Sequence, residues 1–415
     1  MSGIEVLQLG DVAEFIRGVT FKPEDVIESS EDTVWCMRTK NVQKTLDTSS
    51  IWSIDRKHIK RDDQYLREGD ILVSSANSWN LIGKCSWVPR LSQPSTFGGF
   101  ISNLRADRRN IDPRYLYHWF SSPKTQFTVR SLGRQTTNIS NLDIKRCLKM
   151  PVPVPNLETQ ERITDLLDKL KDVRNKRRRS IDLLDELVQS AFLQTFGDPG
   201  AKDSPWPRKQ FGEITTELRY GTSSKSTMSG FPTLRIPNVV SGTLDLTEIK
   251  TVPATDAEFD RLRLQDGDLL FVRSNGNPEY VGRCALFNKK SIESTEYDSK
   301  DFIYASYLIR ARPDQSLTNP VYLREFMLSQ HGRTTLRLKC KTSAGQYNIN
   351  GKNLSSISVP IPPLALQNQF AERISQISFQ RAQHQAHLAH LDELFASVQQ
   401  RAFDGTLWDD RDITP

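Results

Sequence analysis

The sequence predicts an α+β protein in which a long antiparallel two-helix coiled coil separates two similar mixed α/β domains. A stretch of about forty residues, running from Pro155 to Gly197, recurs in outline from Pro362 to Gly405. Both copies space their apolar residues by alternating steps of three and four, which is typical of a coiled-coil seam. The segments that precede the two copies share short motifs in the same order. The chain therefore reads as a tandem repeat of domain plus helix.

Two landmarks set the register between the long segments. Gln160 matches Gln367, and Asp185-Glu186-Leu187 matches Asp392-Glu393-Leu394, an offset of 207 in each case (367−160 and 392−185). No Pro or Gly lies between Pro155 and Gly197 or between Pro363 and Gly405, so that Pro stands at each start and Gly at each stop. Each is predicted to be one unbroken helix, about 60 Å long at 1.5 Å per residue.

The apolar stripe of each helix needs a partner, and the other copy is the nearest candidate. The first stripe contains Ile163, Leu167, Leu170, Arg174, Arg177, Ile181, Leu184, Val188, Ala191 and Thr195. The second contains Phe370, Ile374, Ile377, Arg381, His384, Leu388, Leu391, Phe395, Val398 and Ala402. Polar residues interrupt both stripes at matched positions, where they either fix the register of an antiparallel pair or face solvent.

Length and composition exclude several classes of protein. A chain of 415 residues with 37% hydrophobic and 26% charged residues is expected to form two or three ordinary globular domains. No apolar run is long enough to cross a membrane and no signal peptide is evident, so we expect a cytoplasmic protein without a membrane partner. Five scattered cysteines favour neither disulfides nor structural zinc. The formal charge of +6 permits a polyanionic partner.

The two domains are recognised by paired motifs. In chain order these are WCMRTKNV with PTLRIPNV, LREGDILVSS with LQDGDLLFVR, IGKC with VGRC, GRQTTNIS with SAGQYNIN, and the Pro-rich exits MPVPVPN and VPIPPL. Short β-branched runs bounded by Gly, Asn and Pro predict strands, and segments such as 113–120 have helical spacing. The expected boundaries are a first domain at 1–155, helices at 156–197 and 363–405, a second domain at 198–362, and a tail at 406–415.

This layout resembles the specificity (S) subunit of type I restriction-modification systems. The resemblance rests on the repeated order of domain, Pro-rich exit and P-x-L-x-x-Q-like helix start, with the GDIL/GDLL and NIS/NIN stretches, over nearly the whole chain. The second helix start, PPLALQNQF, departs by lacking the charged E-x-Q-x-R pattern of LETQERI. The resemblance implies that the domains are target recognition domains, each reading one half of a bipartite, asymmetric target in double-stranded DNA.

The resemblance also implies the partners and the absence of catalysis in this chain. Two modification (M) subunits would bring S-adenosylmethionine and methylate adenine, and restriction (R) subunits would complete the nuclease assembly. The chain itself would need no cofactor. Docking of M subunits is expected on the helices, through Leu166, Leu183 and Leu187 in the first and Leu394 in the second; core packing is an equally open role for these residues.

Candidate DNA contacts lie in polar loops that occur in both domains. Amide and guanidinium groups form paired hydrogen bonds with base edges, while Lys, Ser and Thr suit phosphates. The candidates in the first domain are Arg38, Lys40, Asn41, Ser75, Asn77, Trp79, Arg134, Gln135 and Thr137. Those in the second are Arg235, Asn238, Arg273, Asn275, Asn277, Lys341 and Gln346. Positions that differ between the copies are better candidates for base reading, whereas the repeated Arg38 and Arg235 can equally support the fold.

Two other functions stay open at this level. Asn277-Pro278-Glu279-Tyr280 resembles the N-P-P-Y motif of adenine methyltransferases, but the second Pro and a glycine-rich cofactor loop are missing, which disfavours a self-sufficient methyltransferase. The second alternative is a coiled-coil scaffold that does not bind DNA. If both domains instead read major grooves on one face of a duplex, the half-site centres should lie about 34 Å, or a small multiple of it, apart.

Overall fold

A computed structural model describes residues 4–30, 32–135, 139–201, 203–293, 297–343 and 345–407. The chain forms two compact units. One contains Met1–Arg178 and Ala386–Pro415, and the other contains Arg179–Gln385. Among the helices of the described ranges, none is both long and apolar enough to cross a bilayer.

In the part of the first unit that the structure describes, thirteen strands and four short α-helices precede the first long helix. The strands are β1 (Glu5–Gln8), β2 (Ala13–Arg17), β3 (Val26–Ile27), β4 (Thr33–Met37), β5 (Trp52–Asp55), β6 (Ile71–Ser74), β7 (Ala76–Asn77), β8 (Cys85–Trp87), β9 (Ser95–Phe97), β10 (Ile101–Ala106), β11 (Arg134–Gln135), β12 (Ser140–Asn141) and β13 (Pro151–Val154). The helices are α1 (Leu9–Val12), α2 (Pro113–Phe120), α3 (Pro123–Ser131) and α4 (Ile144–Cys147). The long helix α5 (Leu157–Phe196) then leads into the second unit.

The second unit repeats this plan. Its strands are β14 (Arg208–Gln210), β15 (Thr215–Tyr220), β16 (Phe231–Leu234), β17 (Lys250–Val252), β18 (Leu269–Val272), β19 (Ser274–Asn275), β20 (Cys284–Leu286), β21 (Ile303–Tyr304), β22 (Leu308–Pro313), β23 (Lys341–Ser343), β24 (Gln346–Asn348) and β25 (Ser358–Pro360). Its helices are α6 (Ile236–Val239), α7 (Asp256–Leu262), α8 (Lys289–Ile292), α9 (Pro320–Leu328), α10 (Gln330–Lys339), α11 (Gly351–Ser355) and the long α12 (Leu364–Asp404), which ends in the first unit.

The same sheets occur in both units. A four-stranded antiparallel sheet has the order β2-β10-β6-β8 in the first unit and β15-β22-β18-β20 in the second. The first and last strands pair as β1-β13 and as β14-β25, which closes each domain before its exit. A mixed sheet contains one parallel pair in each unit, β4 with β9 and β16 with β21. The prediction of two similar α+β domains is therefore confirmed.

The two long helices run antiparallel within each unit. In the second unit the ring of Phe196, at the end of α5, lies 5.0 Å from that of Phe370, near the start of α12. Asp185 lies eleven residues before Phe196 in α5 (196−185), and it pairs at 2.9 Å with Arg381. Arg381 lies eleven residues after Phe370 in α12 (381−370), as expected for helices that run in opposite directions. In the first unit Ile163 and Leu167 share a hydrophobic core with Ala402. The predicted seam is confirmed: its residues are buried or half-buried along both helices.

Polar seam positions form reciprocal ion pairs. Arg174 of α5 binds Asp392 of α12 at 2.5 Å in the first unit, and Arg381 of α12 binds Asp185 of α5 in the second. The offset of 207 relates both the arginines (381−174) and the aspartates (392−185). These arginines therefore fix the register of the helix pair instead of facing solvent. Arg177 and His384 are half-buried.

A buried glutamine fastens the start of each long helix to its domain. The Gln160 side chain is fully buried, accepts a hydrogen bond from the Asp112 backbone N–H at 2.8 Å and donates to the Pro155 carbonyl at 2.8 Å. Gln367 repeats this with Asn319 and Pro362, both at 2.8 Å. Asp112 and Asn319 are the N-cap residues of α2 and α9. The matching contacts explain why this residue recurs although the flanking charges differ.

The repeated Gly-Asp dipeptide also has a structural role. Asp70 is 2% exposed and accepts two hydrogen bonds from the Arg105 guanidinium, at 2.7 and 2.8 Å. Asp268 does the same with Arg312, at 2.8 Å for both bonds. Each pair ties the turn before the central strand (β6 or β18) to its neighbour (β10 or β22) in the four-stranded sheet. Paired hydrogen bonds of this kind satisfy a buried carboxylate.

Candidate nucleic-acid interface

A small polar sheet brings together residues from two separate loops of the first unit. Strand β12 pairs antiparallel with β7 on one side and with β11 on the other. This pairing places Asn77, Arg134 and Gln135 on one three-stranded sheet, with Ser140 facing both Asn77 and Gln135 in register. The sequence predicted Asn77, Arg134 and Gln135 as DNA contacts but did not predict that they share a sheet. Thr137, also predicted, lies outside the described residues.

The second unit builds the same sheet with different side chains. Strand β24 pairs with β19 and β23, so that Asn275 faces Tyr347, Lys341 faces Asn348, and Ser343 faces Gln346. Lys341 and Gln346 are exposed, and Asn275 is half-buried. Asn275, Lys341 and Gln346, which the sequence predicts as DNA contacts, therefore lie on one sheet with the topology of its counterpart. We call these two sheets the polar sheets.

Local hydrogen bonds fix the turns that follow β7 and β19. The Asn77 side chain accepts from the Ser78 backbone N–H at 2.8 Å and donates to the Ser74 hydroxyl at 3.2 Å. The Asn275 side chain accepts from the Asn277 backbone N–H at 2.9 Å. Such side-chain turns are typical of Asn and hold short loops in one conformation. Both asparagines therefore orient the polar sheet edge on which they lie.

Asn41 and Asn238 occupy structural positions, contrary to what their sequence context suggested. They are 0% and 2% exposed. The Asn41 amide accepts from the Arg38 backbone N–H at 2.8 Å and donates to the carbonyls of Asp47 and Ser50 at 2.8 and 3.0 Å. The Asn238 amide accepts from Arg235 and donates to two backbone carbonyls in the same way. A buried amide with these bonds already made has no group left to offer a base edge.

Arg38 and Arg235 begin the same turns and are held by neighbouring side chains. The Arg38 guanidinium lies 3.7 Å from the centre of the Trp52 ring, a cation–π contact, and burial lowers its pKa below the usual value. Arg235 pairs with Glu248 at 3.2 Å. Both residues are half-buried, which fits their recurrence in the two domains. Lys40 is exposed and donates to the Ser50 hydroxyl at 2.7 Å.

The other predicted contacts lie beside the polar sheets. Ser75 and Arg273 occupy matched positions just before β7 and β19 and are half-buried. The Arg273 guanidinium lies 4.7 Å from the Tyr220 ring centre and donates to the Ser306 carbonyl at 3.3 Å. Trp79 is 46% exposed, and Asn277 is exposed in the turn after β19. These residues surround the sheets with hydrogen-bonding and aromatic groups.

Sequence reasoning missed two aromatic residues beside the polar sheets. Phe100 is 67% exposed and Tyr307 is 60% exposed. Both directly precede a core strand, where the sequence pattern predicts a buried residue. The offset of 207 that relates them (307−100) was the available signal.

The helix residues predicted for partner docking differ in exposure. Leu183, Leu187 and Leu394 are 51%, 41% and 48% exposed, and Leu166 is half-buried. The Asn-Pro-Glu-Tyr stretch forms part of an ordinary turn, in which Glu279 pairs with Arg337 at 2.5 Å. In the ranges that the structure covers, no group of three or more His, Cys, Asp or Glu residues is placed to hold a metal ion.

Comparison with known proteins gives the family. The sequence model of one protein family, the type I restriction modification DNA specificity domain, matches residues 1–183 and 224–390 of this chain. The chain belongs to this family. Its two matched segments make it a double-domain member, in agreement with the resemblance seen in the sequence.

Named relatives and solved structures cover almost the whole chain. The specificity subunit of the type I restriction enzyme EcoKI of Escherichia coli K12 is 28% identical over 98% of this chain and 89% of its own length. The StySPI specificity subunit of Salmonella potsdam is 24% identical over 95% and 87%. The solved S subunit of M. genitalium gives a TM-score of 0.56 at 14% identity over 97% of each chain. A solved chain of a type I R-M system gives 0.57 at 18% identity, over 98% of this chain and 99% of its own. These two structures share the fold.

Proposed function

We propose that this chain is the non-catalytic subunit that gives a type I restriction-modification complex its DNA specificity. Each unit reads one half of a bipartite, asymmetric sequence in double-stranded DNA, and partner subunits carry out methylation and cleavage. The recognition domains comprise residues 1–155 and 198–362, and the spacer helices comprise 156–197 and 363–405. The protein acts in the cytoplasm.

One observation carries the proposal. The two units keep the same scaffold side chains, such as the Gln160 and Gln367 contacts, but build their polar sheets from partly different residues. At matched positions the first sheet has Arg134 and Gln135 where the second has Lys341 and Thr342, whereas Asn77 and Asn275 are common to both. Residues of these types suit the donor and acceptor pattern of the major groove. Two similar domains whose polar sheets carry partly different side chains favour a DNA target whose two halves differ in sequence.

Affinity and specificity are assigned to different residues. Arg273 and Ser75, which flank the polar sheets, and the exposed Lys40 supply contacts to phosphate, which position the domain without reading sequence. The polar-sheet residues, with Trp79 and Asn277, supply the base contacts, each good paired contact being worth about 1–3 kcal/mol of discrimination. Asn41 and Asn238 are excluded from both sets because their amides are occupied inside the fold.

The partners follow from the family. Modification subunits, which carry S-adenosylmethionine, and restriction subunits assemble with the chain on DNA. Leu183, Leu187 and Leu394 are the proposed docking residues for the modification subunits because a solvent-exposed leucine on a helix gains stability when it is covered. Two modification subunits per chain suit a subunit with two copies of the same scaffold.

Selection from random duplex DNA tests this function. The chain is purified with its modification subunits, and bound duplexes are sequenced after several rounds. The expected result is two short, unlike sequence blocks separated by a fixed gap of unspecified bases. Selection of no preferred sequence would refute the proposal and favour a scaffold. Binding of labelled S-adenosylmethionine to the isolated chain would instead favour a self-sufficient methyltransferase.

A further inference from the structure

A large aromatic side chain stands at the tip of the same tight turn in both units. In the first unit the turn is Gly98-Gly99-Phe100-Ile101, in which the Ile101 N–H donates to the Gly98 carbonyl at 2.9 Å. In the second it is Ala305-Ser306-Tyr307-Leu308, with the same bond from Leu308 to Ala305 at 2.9 Å. The aromatic residue occupies the third position of each turn, and the next residue begins β10 or β22.

Each turn is anchored at both ends. Gly98 forms a β-bridge with Val19, and Ala305 forms the matching bridge with Thr222. The residue after the aromatic one is buried in both units, Ile101 at 1% and Leu308 at 0% exposure. The backbone of the turn is thereby held while the ring of Phe100 or Tyr307 remains in solvent. An exposed aromatic ring on a fixed backbone loses little conformational freedom when it binds.

The aromatic turns are bonded directly to the strands that lead into the polar sheets. The Phe100 carbonyl accepts hydrogen bonds from the backbone N–H groups of Ser75 and Ala76, at 3.0 and 3.2 Å, and Ala76 is the first residue of β7. The Tyr307 carbonyl accepts from the Arg273 N–H at 2.9 Å, and β19 begins at the next residue. The backbone of each aromatic turn is therefore held next to the edge that we assign to base reading.

Exposure alone would mean little, since single exposed apolar side chains are common on protein surfaces. Phe127, on α3 of the first unit, is 68% exposed and has no equivalent exposed aromatic in the second unit. Phe100 and Tyr307 differ because they recur at an offset of 207 and because backbone bonds join both to the polar sheets. Because the aromatic turns adjoin the polar sheets, we expect the DNA that the polar sheets bind to cover the two rings as well.

We propose that Phe100 and Tyr307 are aromatic wedges, each of which inserts its ring against a base step of the half-site that its own unit reads. This inference rests on the proposed function. Apolar side chains inserted between bases partly unstack them, and the contact is tolerant of sequence because every base has a π-face. The amides of the polar sheet then identify bases next to a locally opened step, where their edges are more accessible.

The test uses the complex with its modification subunits and the duplex selected by the wild-type protein. 2-Aminopurine, whose fluorescence rises when it is unstacked, is placed in turn at each position of both half-sites. Apart from the adenines that the modification subunits extrude for methylation, the wild-type protein is expected to raise the signal at one step in each half. Phe100→Ala should abolish the rise in one half only, and Tyr307→Ala should abolish it in the other. Each should weaken binding by about tenfold or more, as expected for loss of one base–aromatic contact.

Controls separate this role from a merely structural one. Phe127→Ala removes a ring of the same exposure in the same unit and should leave both affinity and fluorescence unchanged. Phe100→Tyr and Tyr307→Phe should restore both signals, since the ring is kept. Wild-type affinity in the alanine variants, or weaker binding without a change in fluorescence, would overturn the wedge assignment alone. Failure of the wild-type protein to select any sequence would overturn the proposed function, and the wedge with it.

Discussion

Replacing Gln160 with Leu tests how the long helix is fastened to the first domain. The substitution keeps the volume of the side chain but removes the acceptor of the Asp112 N–H and the donor to the Pro155 carbonyl. Each of the two backbone groups left buried and unpaired costs about 1–3 kcal/mol, so the expected loss of unfolding free energy is about 2–6 kcal/mol. In a unit of this size a loss of about 3 kcal/mol lowers the Tm by roughly 6–12 °C.

The matched change in the second unit should cost more. Gln367 binds the same two backbone positions and also accepts a hydrogen bond from the Thr318 hydroxyl at 3.0 Å, and Thr318 is fully buried. Hydrogen exchange measured by mass spectrometry resolves the two units: Gln160→Leu should deprotect α2, and Gln367→Leu should deprotect α9. Glu161→Ala, at an exposed neighbouring position, is the control. Unchanged protection in both glutamine variants would refute the fastening role.

Three further predictions concern the helix pair, pH and phosphate binding. A double-mutant cycle on Arg174 and Asp392, measured by urea unfolding, should give a coupling free energy of about 0.5–1 kcal/mol. Salt should reduce this coupling because Asp392 is 41% exposed. A coupling of zero at low salt would contradict the role of the pair in fixing the helix register. Burial lowers the pKa of His118 below its usual value near 6.5. As the pH falls, the unfolded chain therefore binds a proton at His118 before the folded chain does. The stability of the first unit should consequently fall as the pH drops from about 7 to 5. In the His118→Gln variant the urea midpoint should depend less on pH between about 7 and 5. An unchanged pH dependence would contradict the assignment of this effect to His118. Lys40→Ala should weaken binding to all duplexes alike and reduce the slope of log affinity against log salt by about one, without altering the selected sequence; a changed sequence would instead make Lys40 a base-reading residue.

The long helices and their seam could be predicted because their signal is local. Apolar spacing and the Pro and Gly residues at the ends identify helices that begin at Leu157 and Leu364 in the structure. The ion pairs of Arg174 and Arg381 were left open because spacing alone does not distinguish a polar seam residue from a solvated one. The matching aspartates were visible in the repeated Asp-Glu-Leu tripeptide, but only the antiparallel register brings them opposite the arginines.

The polar sheets could not be predicted because their strands are only two or three residues long. Their pairing joins loops far apart in the chain, as between Asn77 and Ser140, and such short segments carry no period that specifies register. Asn41 and Asn238 were misassigned for a related reason: an amide in a polar loop looks available until the fold surrounds it. Their recurrence in both domains was the better guide, because residues that support a shared scaffold repeat while residues that read different sequences need not.

The most direct measurement is a repeat of the DNA selection with one polar sheet disabled. The variant carries Asn275→Ala, Lys341→Ala and Gln346→Ala, and its fold is checked by the hydrogen exchange of α9 and α2. The account predicts that one half of the selected sequence is lost while the other half stays as it is for the wild-type protein. Retention of both halves by the folded variant would contradict the claim that each unit reads its own half-site through its polar sheet.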